Sequence, residues 1–261
     1  MHRYFAFLFV ILSSLFSSAQ ALEVCYEDRP NPPDYYGSGA KVPEHPGANI
    51  ELMQQLGQQL NLNIKFRRLP WRRCMLLLKQ GRVDVIPGMG YLESRENFAV
   101  YPMQGSGIDA SYRLGNGAFY FYRRKNSQVE WNGRKLKKLK GKVGFVSGYS
   151  VEKALNNDDL AAEGARHQQQ NLEKLLRGHI GLMVGYNSMV DVVMRQKPEL
   201  MDQIEKVYPA YQTYNYYLVF SHQYASAKPL MHKKIWAALE KIRESTRHQS
   251  ILHQYQTGVL P

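Results

Sequence analysis

The chain has 261 residues, 44% of them hydrophobic, with 34 Lys and Arg against 22 Asp and Glu and a formal charge of +12. That length suffices for one large or two smaller domains with buried cores, so the fold does not depend on cross-links or metals for an interior. Only two cysteines, Cys25 and Cys74, are present, which excludes a disulfide-dense scaffold and a cysteine-rich zinc site.

The first residues, Met1-His2-Arg3, precede an apolar run from Tyr4 to Phe16 and then small residues ending in Ala19-Gln20-Ala21. This pattern predicts a secretory leader over residues 1–21, cleaved near Ala21, and hence a periplasmic protein. The bland alternative is an uncleaved anchor, for which the run is short. In an oxidising compartment the two cysteines are expected to pair, the alternative being two buried thiols.

From Leu22, "LEVCYED" alternates like a strand and runs into the proline-rich "RPNPPDYYG". Asn49 is then expected to cap a helix in which Ile50, Met53, Leu56 and Leu60 recur at helical spacing and which ends at Asn61. "LNIKFRRL" predicts a second strand, Pro70 and Trp71 open a second helix, and Gly81 supplies its left-handed stop. "VDVIP" predicts a third strand, with Asp84 bonding neighbouring backbone. Strands alternating with helices imply right-handed crossovers and a parallel sheet. A second unit of the same kind follows in "KVGFVSG", "SVEKALNN", "NLEKLLRG" and "IGLMVGY".

Two extended aromatic stretches, "ASYRLGNGAFYFYRRK" and "YPAYQTYNYYLVFS", separate these units and read as two hinge strands. A terminal helix with Leu230, Ile235, Leu239 and Ile242 is expected to pack on the first unit. The division expected is a leader over 1–21, one lobe over 22–114 and 213–261, and a second over 115–212. The leader holds one of the basic residues and no acid, so the mature chain carries +11. Residues 123–142 hold nine Lys or Arg against one Glu. A solvated surface is the plain explanation of this run and contact with anionic lipid or an acidic partner the sharper one; no nucleic acid is expected as a partner of an exported chain.

The segments "PGANIELMQQLGQQLNLNIKF", "PWRRCMLLLKQGRVDV", "GMGYLESRENFAVYP", "LKGKVGFVSGYS" and "NLEKLLRGHIGLMVGY", in that order and spacing, resemble the bacterial periplasmic solute-binding proteins of the polar amino-acid type. The resemblance covers nearly the whole mature chain. It implies an α/β fold of two lobes, each a mainly parallel sheet with flanking helices, joined by two hinge strands and closing over a ligand. In that family an arginine shortly after the third strand pairs with a ligand carboxylate, and Arg95 stands there; a guanidinium offers a planar fork matched to a carboxylate. A rim salt bridge is the plainer role of such an arginine.

Across the cleft, Ser147, Gly148, Tyr149 and Ser150 precede a helix, and their backbone N–H groups are candidates to hold the same anionic group. A simple serine cap would explain the same letters. Trp71, Gly90, Tyr36, Tyr35, Tyr91 and Tyr186 are candidates to line the cleft, core packing or a hinge contact being the competing role for the aromatics of the first lobe. The family's threonine before the arginine is replaced by Leu92, its acid after the second-lobe strand by Tyr186, and another acid by Gly181. A ligand ammonium would then need Glu27, Asp28 or Asp109, with Glu27 best placed.

The resemblance thus implies a monomeric binder that captures a small carboxylate-bearing solute for a permease of the ABC type or a sensor. Neither a cofactor nor a metal is expected. A dehydratase-type enzyme on the same scaffold, with Glu27, Glu93 or His179 as acid or base, and an interaction module built on residues 123–142 are the alternatives.

Overall fold

A computed structural model of the chain describes residues 21–258; the expected leader, apart from Ala21, lies outside them. In chain order the strands are β1 (Leu22–Glu27), β2 (Ile64–Leu69), β3 (Val85–Gly90), β4 (Met103–Gln104), β5 (Gly107–Ile108), β6 (Arg113–Arg124), β7 (Glu130–Trp131), β8 (Leu136–Lys137), β9 (Val143–Val146), β10 (Ala162–Ala165), β11 (Leu182–Tyr186) and β12 (Ile204–Phe220). The helices are α1 (Ala48–Leu60), α2 (Trp71–Lys79), α3 (Val151–Asn157), α4 (Gln168–Leu176), α5 (Asn187–Gln196), α6 (Glu199–Gln203), α7 (His222–Ala227), α8 (Met231–Arg243) and α9 (Thr246–Thr257).

One sheet runs through the molecule in the order β10-β9-β11-β6-β12-β3-β1-β2, while β4–β5 and β7–β8 form two small hairpins. At one end β1 pairs in parallel with β2 and β3. At the other, β9 pairs in parallel with β10 and β11. The long strands β6 and β12 join the two ends. They pair antiparallel with each other from Ile204 opposite Arg124 to Tyr217 opposite Arg113, β12 continuing onto β3 and β6 onto β11.

Each end buries its own interior. Val24, Leu52, Met53, Leu56, Leu218 and Trp236 belong to one core, and Phe121, Val143, Leu155, Leu182 and Val207 to another. These are two lobes on two connecting strands, as the two extended aromatic stretches imply.

Local chemistry explains most element boundaries. Helix α1 ends where Asn61 adopts φ 51°, a left-handed conformation that asparagine tolerates. Its start corrects the sequence expectation: Asn49 lies buried inside the helix, and Gly47 occupies the cap position. Gly47 has φ 107°, and a Cβ there would come within 2.3 Å of the Asp34 carbonyl oxygen, so the backbone of the first loop selects glycine. Asp84 accepts the Glu23 N–H at 2.8 Å, fixing the crossing from β1 to β3.

Cys25 on β1 and Cys74 on α2 form a disulfide, their Cα atoms 5.5 Å apart in the first-lobe core. Ile235, Leu239 and Ile242 of α8 pack on that lobe, but Leu230 is 82% exposed because it precedes the helix. Strand β10 and helices α5, α6, α7 and α9 are additions to the elements expected from sequence. No helix among the described residues is long and apolar enough to cross a membrane.

Candidate functional site

The chain enters the junction between the lobes at several element ends. Glu27 terminates β1, Trp71 is the first residue of α2, and Gly88 and Gly90 lie on β3. Arg95 closes a single 3₁₀ turn, Glu93–Arg95, which follows that strand after Tyr91 and Leu92. From the second lobe come Tyr149 and Ser150 ahead of α3 and Tyr186 at the end of β11, with Phe119 and Tyr216 on the connecting strands. With Asn31 and Tyr35 they enclose a cavity of about 40 Å³.

Arg95 is 7% exposed. One terminal nitrogen donates to the Gly90 carbonyl at 2.8 Å, on its own lobe, and the other to the Gly148 carbonyl at 2.9 Å, on the opposite lobe. Trp71 Nε1 donates to the same Gly148 oxygen at 3.2 Å. The two lobes are therefore clasped by one arginine and one indole on a single carbonyl.

Glu27 provides the other charge. It is 7% exposed and accepts the Tyr149 hydroxyl at 2.9 Å from the facing lobe. Burial pushes its carboxyl up to about 7, the tyrosine hydrogen bond acting in the opposite direction but more weakly. Burial and the neighbouring carboxylate raise the Tyr149 hydroxyl, so Tyr149 is a donor in this pair.

The walls are aromatic. Tyr186 packs edge-on against Tyr216 at 5.6 Å and tilted against Phe119 at the same centroid distance. Two glycines make room for this: a Cβ on Gly117 would lie 2.0 Å from the Tyr186 ring, and one on Gly88, at φ 78°, would lie 2.4 Å from the Tyr35 hydroxyl. That hydroxyl donates to the Pro87 carbonyl at 2.5 Å, locking the Tyr35 ring against β3.

Of the sequence candidates, Glu27, Trp71, Gly90, Arg95, Tyr149, Ser150, Tyr186 and Tyr35 converge on this cavity. Tyr36 does not: its hydroxyl donates to the Tyr255 carbonyl and its ring packs on Tyr255, since α9 covers that side of the first loop. Tyr91 turns away to donate to Glu96 and pack edge-on against Tyr101. Ser147 faces Gly164 on β10.

Three of the four N–H groups of the expected anion turn are not available to a ligand. The N–H groups of Ser147, Gly148 and Tyr149 are already bonded, to the Ala165 carbonyl, the Glu152 carboxylate and the Val146 carbonyl respectively. Gly148 presents its carbonyl to the cleft instead. Asp28 is absent from the cavity wall, and Asp109 is spent on the 3₁₀ turn Ala110–Tyr112, accepting the Ser111 N–H. Glu93 and His179 are exposed. Sequence reading missed Asn31, Gly88, Phe119 and Tyr216; the alternation of aromatics along both hinge strands is the signal that would have pointed to the last two.

A wider groove of about 860 Å³ runs behind the connecting strands, past Asp34, Arg113, Asn215 and His248. Tyr186 is the one sequence candidate that reaches it, whereas Arg95 and Glu27, both buried, line the smaller cavity, which is the candidate site.

The family model for bacterial extracellular solute-binding proteins, family 3, matches residues 22–258. Among curated proteins no sequence matches. Among solved structures, a histidine kinase sensor domain with similarity to periplasmic binding proteins is 17% identical with a TM-score of 0.72, covering 90% of this chain and 96% of that one. An arginine transport-system periplasmic binding protein from Legionella pneumophila is 15% identical with a TM-score of 0.70, over 90% and 99% of the two chains. An ancestral amino acid-binding protein, a precursor of cyclohexadienyl dehydratase, is 15% identical with a TM-score of 0.67, over 90% and 95%. At such identities the likeness speaks to the fold, which is the two-lobed periplasmic-binding-protein fold.

Proposed function

We propose that this chain, which belongs to the bacterial extracellular solute-binding proteins of family 3, captures a small amino-acid-like or carboxylate-bearing solute between its lobes. The observation that carries the reading is the pair of opposite charges, Arg95 and Glu27, buried in one aromatic-lined cavity at the lobe junction. In this reading the guanidinium exchanges its bond to the Gly148 carbonyl for a ligand carboxylate, a stronger acceptor. Glu27, ionised, takes the ligand's ammonium in place of the missing family acids, and the rings of Trp71, Tyr186 and Tyr216 cover the ligand body.

A cavity of about 40 Å³ holds two or three waters, so a solute enters by separation of the lobes and is held on their closure. The moving bodies are residues 22–114 with 213–258, and residues 115–212. The bend falls in β6 and β12, where the ladder shifts register between Val207 and Gln212 and between Tyr216 and Tyr217. The chain works as an exported monomer that hands its solute to a membrane permease or a sensor. Solved relatives of both kinds, a transport binding protein and a kinase sensor domain, support this pair of destinations.

The test is the identity of any small molecule retained through purification, read by mass spectrometry of the denatured protein, followed by thermal-shift screening of amino acids, organic acids and amines. A saturable ligand that Arg95→Ala fails to bind supports the reading; a full panel without a ligand overturns it.

One observation favours a second reading. A buried carboxyl poised near neutrality, as Glu27 is, suits general acid–base catalysis, and a dehydratase precursor shares the fold. Turnover of the bound molecule followed by NMR decides for this reading, and an unchanged ligand decides against it.

A further inference from the structure

The hairpin β7–β8 lies on the second lobe, away from the cavity, and concentrates positive charge. Of the nine Lys and Arg in residues 123–142, four are occupied. Arg123 pairs with Glu205 at 2.7 Å, Lys142 with Glu163 at 3.4 Å and Lys138 with Glu130, while Arg124 donates to the Leu175 carbonyl at 2.5 Å. The other five, Lys125, Arg134, Lys135, Lys137 and Lys140, are exposed, and among the described residues no carboxylate lies within 4.0 Å of any of them.

The cations stand on a fixed platform. Trp131, Leu136 and Leu139 pack on the second-lobe core, and the Trp131 ring lies edge-on to Phe121 at 5.2 Å and to Tyr211 at 5.6 Å. Its Nε1 donates to the Pro209 carbonyl at 3.0 Å. The turn is held by Asn132 Oδ1, which accepts the N–H groups of Arg134 and Lys135. Apolar residues 136 and 139 point inward, and Lys135, Lys137 and Lys140 are therefore left outward on the same surface. Pro209 touches Gly133 in the turn, and the residue before it, Tyr208, is 65% exposed.

From this patch we infer that the second lobe docks electrostatically on an anionic phospholipid surface. A bilayer fits better than a protein partner because three of the four free cations on the hairpin and its flanks, Arg134, Lys135, Lys137 and Lys140, are lysines. Lysine is depleted from protein interfaces, which draw on buried aromatics and arginine around an apolar core, whereas exposed lysine clusters are the usual means of binding acidic headgroups. Docking would hold a family member that works outside the cytoplasm close to the membrane carrying its acceptor, independently of which solute the cleft binds.

The experiment is co-sedimentation of the purified chain with vesicles of phosphatidylcholine alone and of phosphatidylcholine with phosphatidylglycerol, at low and high salt. Binding is expected to the anionic vesicles alone, weakening as salt screens the charges. Replacing Arg134, Lys135, Lys137 and Lys140 by Gln is expected to lower partitioning about fivefold per cation, and more than 100-fold together. Circular dichroism and ligand affinity should stay unchanged, which separates this claim from the one about the cleft. Equal partitioning of parent and variant overturns the inference, as does failure to bind anionic vesicles at low salt. Capture that needs protease-sensitive membrane protein, and not lipid, overturns it in favour of an acidic protein partner.

Discussion

The two lobes contribute unlike chemistry to one cavity. The first supplies both charges, Glu27 and Arg95, and braces them heavily. A disulfide joins β1 to the helix that begins at Trp71, and Tyr35 is held on β3 by its bond to the Pro87 carbonyl, with room left by Gly88. The second supplies a backbone carbonyl, a tyrosine hydroxyl and ring faces, which engage those charges across the junction. The difference is one of chemistry: the charged side chains come from one lobe, and the other meets them with neutral groups; under the proposed function the second lobe is the part that a solute displaces.

Breaking the brace should have the largest effect. Substituting both Cys25 and Cys74 by Ser opens a loop of 49 residues and is expected to cost about 4 kcal/mol, read by urea unfolding. An unchanged stability would mean that the first lobe needs no such brace. Gly88→Ala forces a side chain into a left-handed conformation and onto the Tyr35 hydroxyl; a loss of about 2 kcal/mol is expected. The corresponding test in the second lobe is Ser150→Ala, expected to change stability by less than about 1 kcal/mol. Similar losses from the two substitutions would erase the contrast.

Protonation sharpens the comparison. The folded carboxyl of Glu27 titrates near 7 against an ordinary 4.5, so its protonated form favours the fold. That contribution is complete below about 4.5 and is lost as pH rises through about 7. Asp34, also raised to about 7 by burial, adds a component of the same sign in parent and variant alike. Glu27→Gln should therefore match the parent in thermal midpoint near pH 4.5 and exceed it near pH 8. Parallel curves for the two proteins would remove Glu27 from the buried titrating groups. If the ionised form receives a ligand's ammonium, affinity should rise with pH across the same window. The smallest effect belongs to Trp71→Phe, which keeps a ring and loses the bond to Gly148; ligand affinity is expected to fall about fivefold by calorimetry.

How much of this could be read from sequence follows the same division. The first-lobe elements announce themselves through helical spacing at Ile50, Met53 and Leu56, the Pro70-Trp71 start and the Gly81 stop; Glu27 could be placed at the end of a predicted strand, and Arg95 through the family resemblance. The second lobe's part could not. Ser147 to Ser150 look like an anion-binding turn, yet Glu152 and two carbonyls take the first three N–H groups, and the Gly148 oxygen accepts from Arg95 and Trp71 instead. Tyr36 was separated from Tyr35 only by α9, a helix with a weak apolar stripe that covers one ring and not the other. Such choices are made by packing between distant segments, which local pattern does not carry.

The central claim is that Arg95 and Glu27 hold the two ends of one small charged solute. It is tested by calorimetric titration of the parent, Arg95→Ala and Glu27→Gln with the retained ligand and with its analogues lacking the carboxylate or the amino group. The account predicts that removing the ligand's carboxylate and removing Arg95 each cost at least about 100-fold, and that together they cost little more than either alone; Glu27 and the amino group should behave likewise. Full affinity of Arg95→Ala for the intact ligand, or losses that multiply as though the two groups never met, would contradict it.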